Sequence, residues 1–140
     1  MSQESNLYKQ FIDWKNLGNW SEPLGNHYTS KAQNPLCGDE IVIYFERDSD
    51  SRIRVLGLGG ESCSVCEASA GLLFHRKQNF FKVEVEKEID KFLNYLETEV
   101  DIEFFNEAEK EFWNLIKKTP NRLRCATLPF KALVRCCEEV

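Results

Sequence analysis

The hexapeptide Asn34-Pro35-Leu36-Cys37-Gly38-Asp39 does most to restrict what this chain can become, because it must form a loop and it sets a thiol two residues from a carboxylate. Pro35 biases Asn34 toward extended geometry, and Gly38 accepts a positive φ that other residues resist. A turn at Gly38 therefore aims Cys37 and Asp39 at one point. Soft sulfur and hard oxygen converging in this way suit zinc or iron, provided further thiols arrive from elsewhere in the chain. Cys63 and Cys125, each expected just ahead of a helix, are the two that qualify. Taken alone, the hexapeptide suits a small buried apolar side chain in a turn at least as well.

With 140 residues, 42% of them hydrophobic, the chain can bury one core but not two, so residues 1–140 are expected to form a single domain. A net charge of −5 and the lack of a Lys/Arg cluster argue against nucleic acid or an anionic membrane as principal partner and favour proteins. No stretch approaches the ~18 apolar residues that span a bilayer, and Met1 to Ser5 is too polar to open a signal peptide, so the expected location is cytoplasmic. Six cysteines in a reducing compartment are better read as metal ligands, sulfur chemistry or core filler than as disulfides.

Periodicity supplies the elements. Leu7, Tyr8, Phe11, Ile12 and Trp14 predict a short helix ending near Gly18. One short strand is expected around His27 to Lys31. Ile41, Ile43 and Phe45 alternate with Val42, Tyr44 and Glu46, and Arg52 to Leu58 alternates again after the turn Asp48-Ser49-Asp50-Ser51, which predicts an antiparallel hairpin. Ser64 and Glu67 have capping-box spacing, so a helix should run from Ser64 to about Arg76. Val85, Ile89, Phe92, Leu93 and Leu96 predict a further helix. Phe105, Ala108, Phe112, Leu115 and Ile116 predict another, ending before Pro120, and Thr127 with Pro129 marks the expected start of the last. The sum is an α+β domain: a small three-stranded antiparallel sheet with helices packed on one face.

Cys63 and Cys125 at helix mouths would feel partial positive charge that favours thiolate, as a ligand or nucleophile requires. Three thiols beside turns or helix starts are more than packing needs, and this tips the reading toward a shared site. Cys63-Ser64-Val65-Cys66 raises a rival, a thioredoxin-like dithiol oxidoreductase using Cys63 and Cys66, but the strands before it form a hairpin rather than a βαβ unit. Cys136 and Cys137, at helical spacing from Ala132 and Leu133, suit core filling, and His27 and His75 stand without ligand spacing.

Three stretches in order resemble the U-type iron–sulfur cluster assembly family, comprising IscU, the NifU N-terminal domain and SufU. They are the hexapeptide, Gly60-Glu61-Ser62-Cys63-Ser64-Val65-Cys66-Glu67-Ala68-Ser69-Ala70, and Arg122-Leu123-Arg124-Cys125-Ala126-Thr127-Leu128. The resemblance covers nearly the whole chain, with residues 78–120 matching only in length and helical character. A long insert between Cys63 and Cys125, and Arg124 where IscU has a histidine ligand, put the chain nearest SufU. Ser62, Cys66, Pro129 and Phe130 depart from the family pattern, and IscU's Leu-Pro-Pro-Val-Lys motif is missing.

The resemblance implies a zinc-dependent sulfur acceptor. Cys37, Asp39, Cys63 and Cys125 would be the Zn²⁺ ligands, with Cys37 the thiol that takes persulfide sulfur from a SufS-like cysteine desulfurase. Arg122 would contact that enzyme, and a downstream protein would receive the sulfur or cluster. As the alternative, the same four positions would hold a nascent iron–sulfur cluster, as in an IscU-type scaffold; Arg124 cannot act as a ligand there.

Overall fold

The computed structural model describes residues 3–36, 38–48, 52–76, 78–97 and 107–138. Its elements are α1 (Gln3–Lys15), β1 (Tyr28–Asn34), β2 (Asp39–Arg47), β3 (Arg52–Gly59), α2 (Ser64–Arg76), β4 (Asn79–Phe81), α3 (Lys82–Glu97), α4 (Glu107–Ile116) and α5 (Pro120–Glu138). The four strands form one antiparallel sheet in the order β1-β2-β3-β4. The α+β class stands as expected, with one strand more. β4 is three residues long, too short for alternation to show, and is fixed by burying Phe80 between exposed Asn79 and Phe81.

Ile41, Ile43 and Phe45 of β2 lie on the helix-covered face with Ser30 and Ala32 of β1 and Ile53, Val55 and Leu58 of β3, all buried. Period-two alternation puts them there, and it is interrupted once, where the β2–β3 register shifts between Tyr44 and Phe45. The hairpin turn spans residues 49–51, outside the described set, but its ends close on each other: the Asp48 N–H reaches the Arg52 carbonyl at 3.1 Å, and the Arg52 N–H reaches Asp48 Oδ1 at 3.1 Å.

The helices join one another through aromatic rings. Phe92 of α3 stacks on Phe130 of α5 with centroids 4.3 Å apart, and Trp113 of α4 meets Phe92 edge-on at 4.7 Å. Trp14 of α1 meets Phe112 at 5.3 Å. Such pairs add about 0.5–1.5 kcal/mol each beyond their area. The side chains of Leu7, Tyr8, Leu93 and Ala108, and all of Phe105, belong to the expected apolar stripes but lie outside the described set.

The last helix departs from expectation. α5 begins at Pro120, not near Thr127, so Pro129 lies inside it and Cys125 stands in its second turn rather than ahead of it. Pro120 takes the first-turn position that proline tolerates, and Leu123 N–H already bonds the Thr119 carbonyl at 3.0 Å. Thr127 spends its hydroxyl on the Arg124 carbonyl, 3.2 Å away, so it is not a cap. Among the described residues no helix is long and apolar enough to cross a membrane.

Candidate functional site

Asp39 is the first residue of β2, paired with Asn34 across the link Pro35 to Gly38. Gly38 has φ +75°, and Asn34 fastens the turn with its side chain, accepting from Leu36 N–H at 3.2 Å, and with its carbonyl, accepting from Gly38 N–H at 2.9 Å. On the other side of the site Gly60 has φ +94°, and any Cβ there would collide with the Glu40 carbonyl. That crowding allows the Glu40 N–H to bond the Glu61 carbonyl at 2.8 Å, which carries the chain from β3 past Asp39 to Cys63.

Cys63 is the cap of α2. Its carbonyl accepts the first helical bond, from Glu67 N–H at 2.9 Å, and its sulfur accepts from the Cys66 N–H. The helix bounds match the expected Ser64 to Arg76, but the cap is the thiol residue and not Ser64. Cys125 reaches the same place from α5. One donor atom from each of Asp39, Cys63 and Cys125 lies within 4.8 Å of the others. Sequence therefore brought together three residues that the fold does bring together; Cys37, the fourth, lies outside the described residues.

The carboxylate is lopsided in its bonding. Asp39 Oδ1 accepts the Cys63 N–H at 3.0 Å, while Oδ2 is buried without a hydrogen-bond partner, and the whole residue is only 7% exposed. An ionisable oxygen kept from water and unpartnered is costly unless something positive occupies it. Two sulfurs and a carboxylate oxygen suit zinc: Zn–S and Zn–O lengths of ~2.3 and ~2.0 Å put tetrahedral ligands roughly 3.5 Å apart, inside the 4.8 Å within which these donors lie.

Burial pushes the Cys63 thiol above its ordinary range. Bonding from Cys66 N–H opposes this, the Asp39 charge adds to it, a bond from Cys125 opposes it, and a bond to Asp39 adds. This direction runs opposite to the thiolate bias expected at a helix mouth, although the Cys63 residue is exposed at the surface. Cys125, inside α5, has no helix mouth to feel. Arg122 and Arg124 are both exposed. Cys66, Cys136 and Cys137 are buried, and His75 is exposed. Every described strand pairing is antiparallel, so Cys63 and Cys66 do not follow a βαβ strand.

Sequence reading overlooked the hydroxyls that hold α5. Ser69 Oγ donates to the Ala126 carbonyl at 2.5 Å and Ser30 Oγ to the Ala132 carbonyl at 2.8 Å. Within Glu67-Ala68-Ser69-Ala70-Gly71 a serine looks like one more small residue at a helix crossing; its only signal is a polar group on an apolar face.

This fold and this donor set are similar to those of U-type iron–sulfur cluster assembly proteins. The chain is 28% identical over 130 residues to the zinc-dependent sulfurtransferase SufU of Bacillus subtilis (strain 168), covering 91% of this chain and 86% of that one. It is 27% identical over 103 residues to the iron–sulfur cluster assembly scaffold protein IscU of Streptococcus pyogenes serotype M1, covering 74% of this chain and 64% of that one. A putative iron–sulfur cluster assembly scaffold protein for the SUF system from Fervidobacterium islandicum AW-1 shares the fold with a TM-score of 0.75 at 24% identity, over 89% of this chain and 91% of that one. The N-terminal part of a nitrogen-fixing NifU-like protein from Brucella abortus does so with a TM-score of 0.73 at 14% identity, over 93% and 90%. No family model matches the sequence.

Proposed function

We propose that this chain is a zinc-dependent sulfur acceptor in iron–sulfur cluster assembly, charged by a cysteine desulfurase and discharged to a downstream protein. The observation that supports it is the convergence of Asp39, Cys63 and Cys125, with a buried Asp39 oxygen that no protein group partners. Cys37, two residues before Asp39 in the sequence, would complete the ligand set. Leu36 beside it in the sequence is 80% exposed, which supports access for an incoming protein. Similarity to a zinc-dependent sulfurtransferase supports the same assignment.

Zinc held there would keep the thiols deprotonated near neutral pH. The chain's own groups do the rest. Cys37 as thiolate attacks the outer sulfur of the desulfurase persulfide, R–S–SH; the Cys37–S bond forms, the inner S–S bond breaks, and the electron pair leaves with the desulfurase thiolate. The product is Cys37–S–SH, and no net oxidant or reductant is consumed. Asp39, Cys63 and Cys125 keep the site assembled while Cys37 moves. Arg122, exposed on α5 one helical turn before Cys125, is placed to meet acidic groups on the desulfurase.

Desulfurase turnover measured with and without this protein, with zinc, iron and sulfide quantified in the same anaerobic sample, tests the proposal. Zinc without sulfide, a stimulated desulfurase and loss of stimulation in Cys37→Ala are expected. Iron with sulfide at the same residues would transfer the assignment to a cluster scaffold, and a Cys37→Ala protein that accepts sulfur at the parent rate would remove Cys37 from its role.

A further inference from the structure

Resting on the zinc reading above, we infer that Ser69, which is not itself a metal donor, positions Cys125 for the ion by clamping the backbone of α5. Asp39 and Cys63 are joined directly, by the Cys63 N–H on Asp39 Oδ1 at 3.0 Å. Cys125 meets Cys63 through its sulfur, and where that sulfur stands depends on how α5 lies against α2.

Two buried hydroxyls fix that relation. Ser69 of α2 donates to the Ala126 carbonyl at 2.5 Å, and Ser30 of β1 donates to the Ala132 carbonyl at 2.8 Å. Both serines are 1% exposed, so water does not compete for either bond. A serine inside a helix ordinarily bonds back to its own preceding turn; Ser69 crosses instead to a residue 57 positions away. The carbonyl it takes is the one that follows Cys125.

The reason a clamp matters there is Pro129. Its ring nitrogen has no hydrogen to give the Cys125 carbonyl, so the helical ladder lacks a rung at the residue that bears the donor sulfur. That turn is therefore one intrahelical bond short. The Ser69 bond replaces it from outside, and does so from α2, the helix that Cys63 caps. Ser30 holds the same helix beyond Pro129, where a shift would not reach Cys125 as directly.

Comparing Ser69→Ala with Ser30→Ala in the full chain tests this, because each deletes one buried hydroxyl bond to one α5 carbonyl. Zinc affinity is read by competition with a chromophoric chelator, cobalt(II) spectra report thiolate coordination, and circular dichroism follows folding. Ser69→Ala is expected to bind zinc on the order of tenfold more weakly, as loss of an outer-shell support does, and to weaken the cobalt–thiolate band. Ser30→Ala is expected to keep the parent affinity and band. Equal affinities in the two variants, or equal losses, would overturn the inference, as would a Ser69→Ala chain that fails to fold where Ser30→Ala folds, since the bond would then serve stability alone. A parent that binds neither zinc nor cobalt defeats the zinc reading and this inference with it; a zinc-binding parent with an indifferent Ser69→Ala defeats only this one.

Discussion

At Asp39 the two carboxylate oxygens have unlike surroundings: one is fixed by the Cys63 N–H, the other is buried with no partner. Substitution can separate their roles. Asp39→Asn keeps an oxygen for the Cys63 N–H but replaces the second with an amide nitrogen, which has no lone pair for a metal. Without metal, exchanging an unpartnered carboxylate for a neutral amide should change stability by no more than about 1 kcal/mol, measured by urea unfolding. Zinc affinity of the same protein, measured by chelator competition, should fall at least ~10-fold. A metal-free Asp39→Asn protein several kcal/mol less stable than the parent would mean that the carboxylate is a structural brace.

Between elements, α1 and α2 approach closely at Gly71. A Cβ on Gly71 would strike the Trp14 carbonyl and meet the Lys15 carbonyl and Cα at 2.8 and 2.9 Å. The same end of α1 is held by Trp20 Nε1 on the Lys15 carbonyl at 2.7 Å and by Lys15 Nζ on Glu67 at 3.1 Å. Backbone cannot yield there as a side-chain tip would, so Gly71→Ala should cost about 1–3 kcal/mol despite alanine's better helix propensity, seen as a lowered urea midpoint with an unchanged slope. A more stable Gly71→Ala would show that the helices separate freely.

Elements whose pattern is local were legible before the fold was known: the β2–β3 hairpin from alternation at Ile41, Ile43 and Phe45, and α2 from Ser64 to Arg76. The start of α5 was not, because Thr-x-Pro is a cap signal in isolation and only burial of Leu128, Pro129 and Phe130 against neighbours makes the helix run through it. For the site, the loop at Asp39 and the helix start at Cys63 advertise themselves in the sequence, and Cys125 joins them although it stands inside α5 and not at its mouth. The thiol cap at Cys63, the unpartnered Asp39 oxygen and the serines behind α5 arise from contacts across 24, 57 and 102 residues, and no window of sequence contains them.

Taken as a whole, the molecule does not need a metal for its core: Phe92, Trp113 and Phe130 and the sheet face of Ile41, Ile43 and Phe45 are buried by contacts among apolar side chains. It should therefore differ from zinc-finger domains, where metal supplies ~10–16 kcal/mol and the apo chain is unfolded. The site nevertheless joins the start of β2, the cap of α2 and the second turn of α5, so an ion there binds the folded state preferentially. At free zinc 100-fold above its dissociation constant, mass action adds ~2.7 kcal/mol, and for a chain of this length that raises Tm by roughly 5–10 °C. Chelation should lower the calorimetric midpoint by that amount while far-ultraviolet circular dichroism below the midpoint stays native. Loss of helical signal at room temperature on chelation would mean that the ion organises the core, whereas an unmoved midpoint would mean that Asp39, Cys63 and Cys125 do not share it.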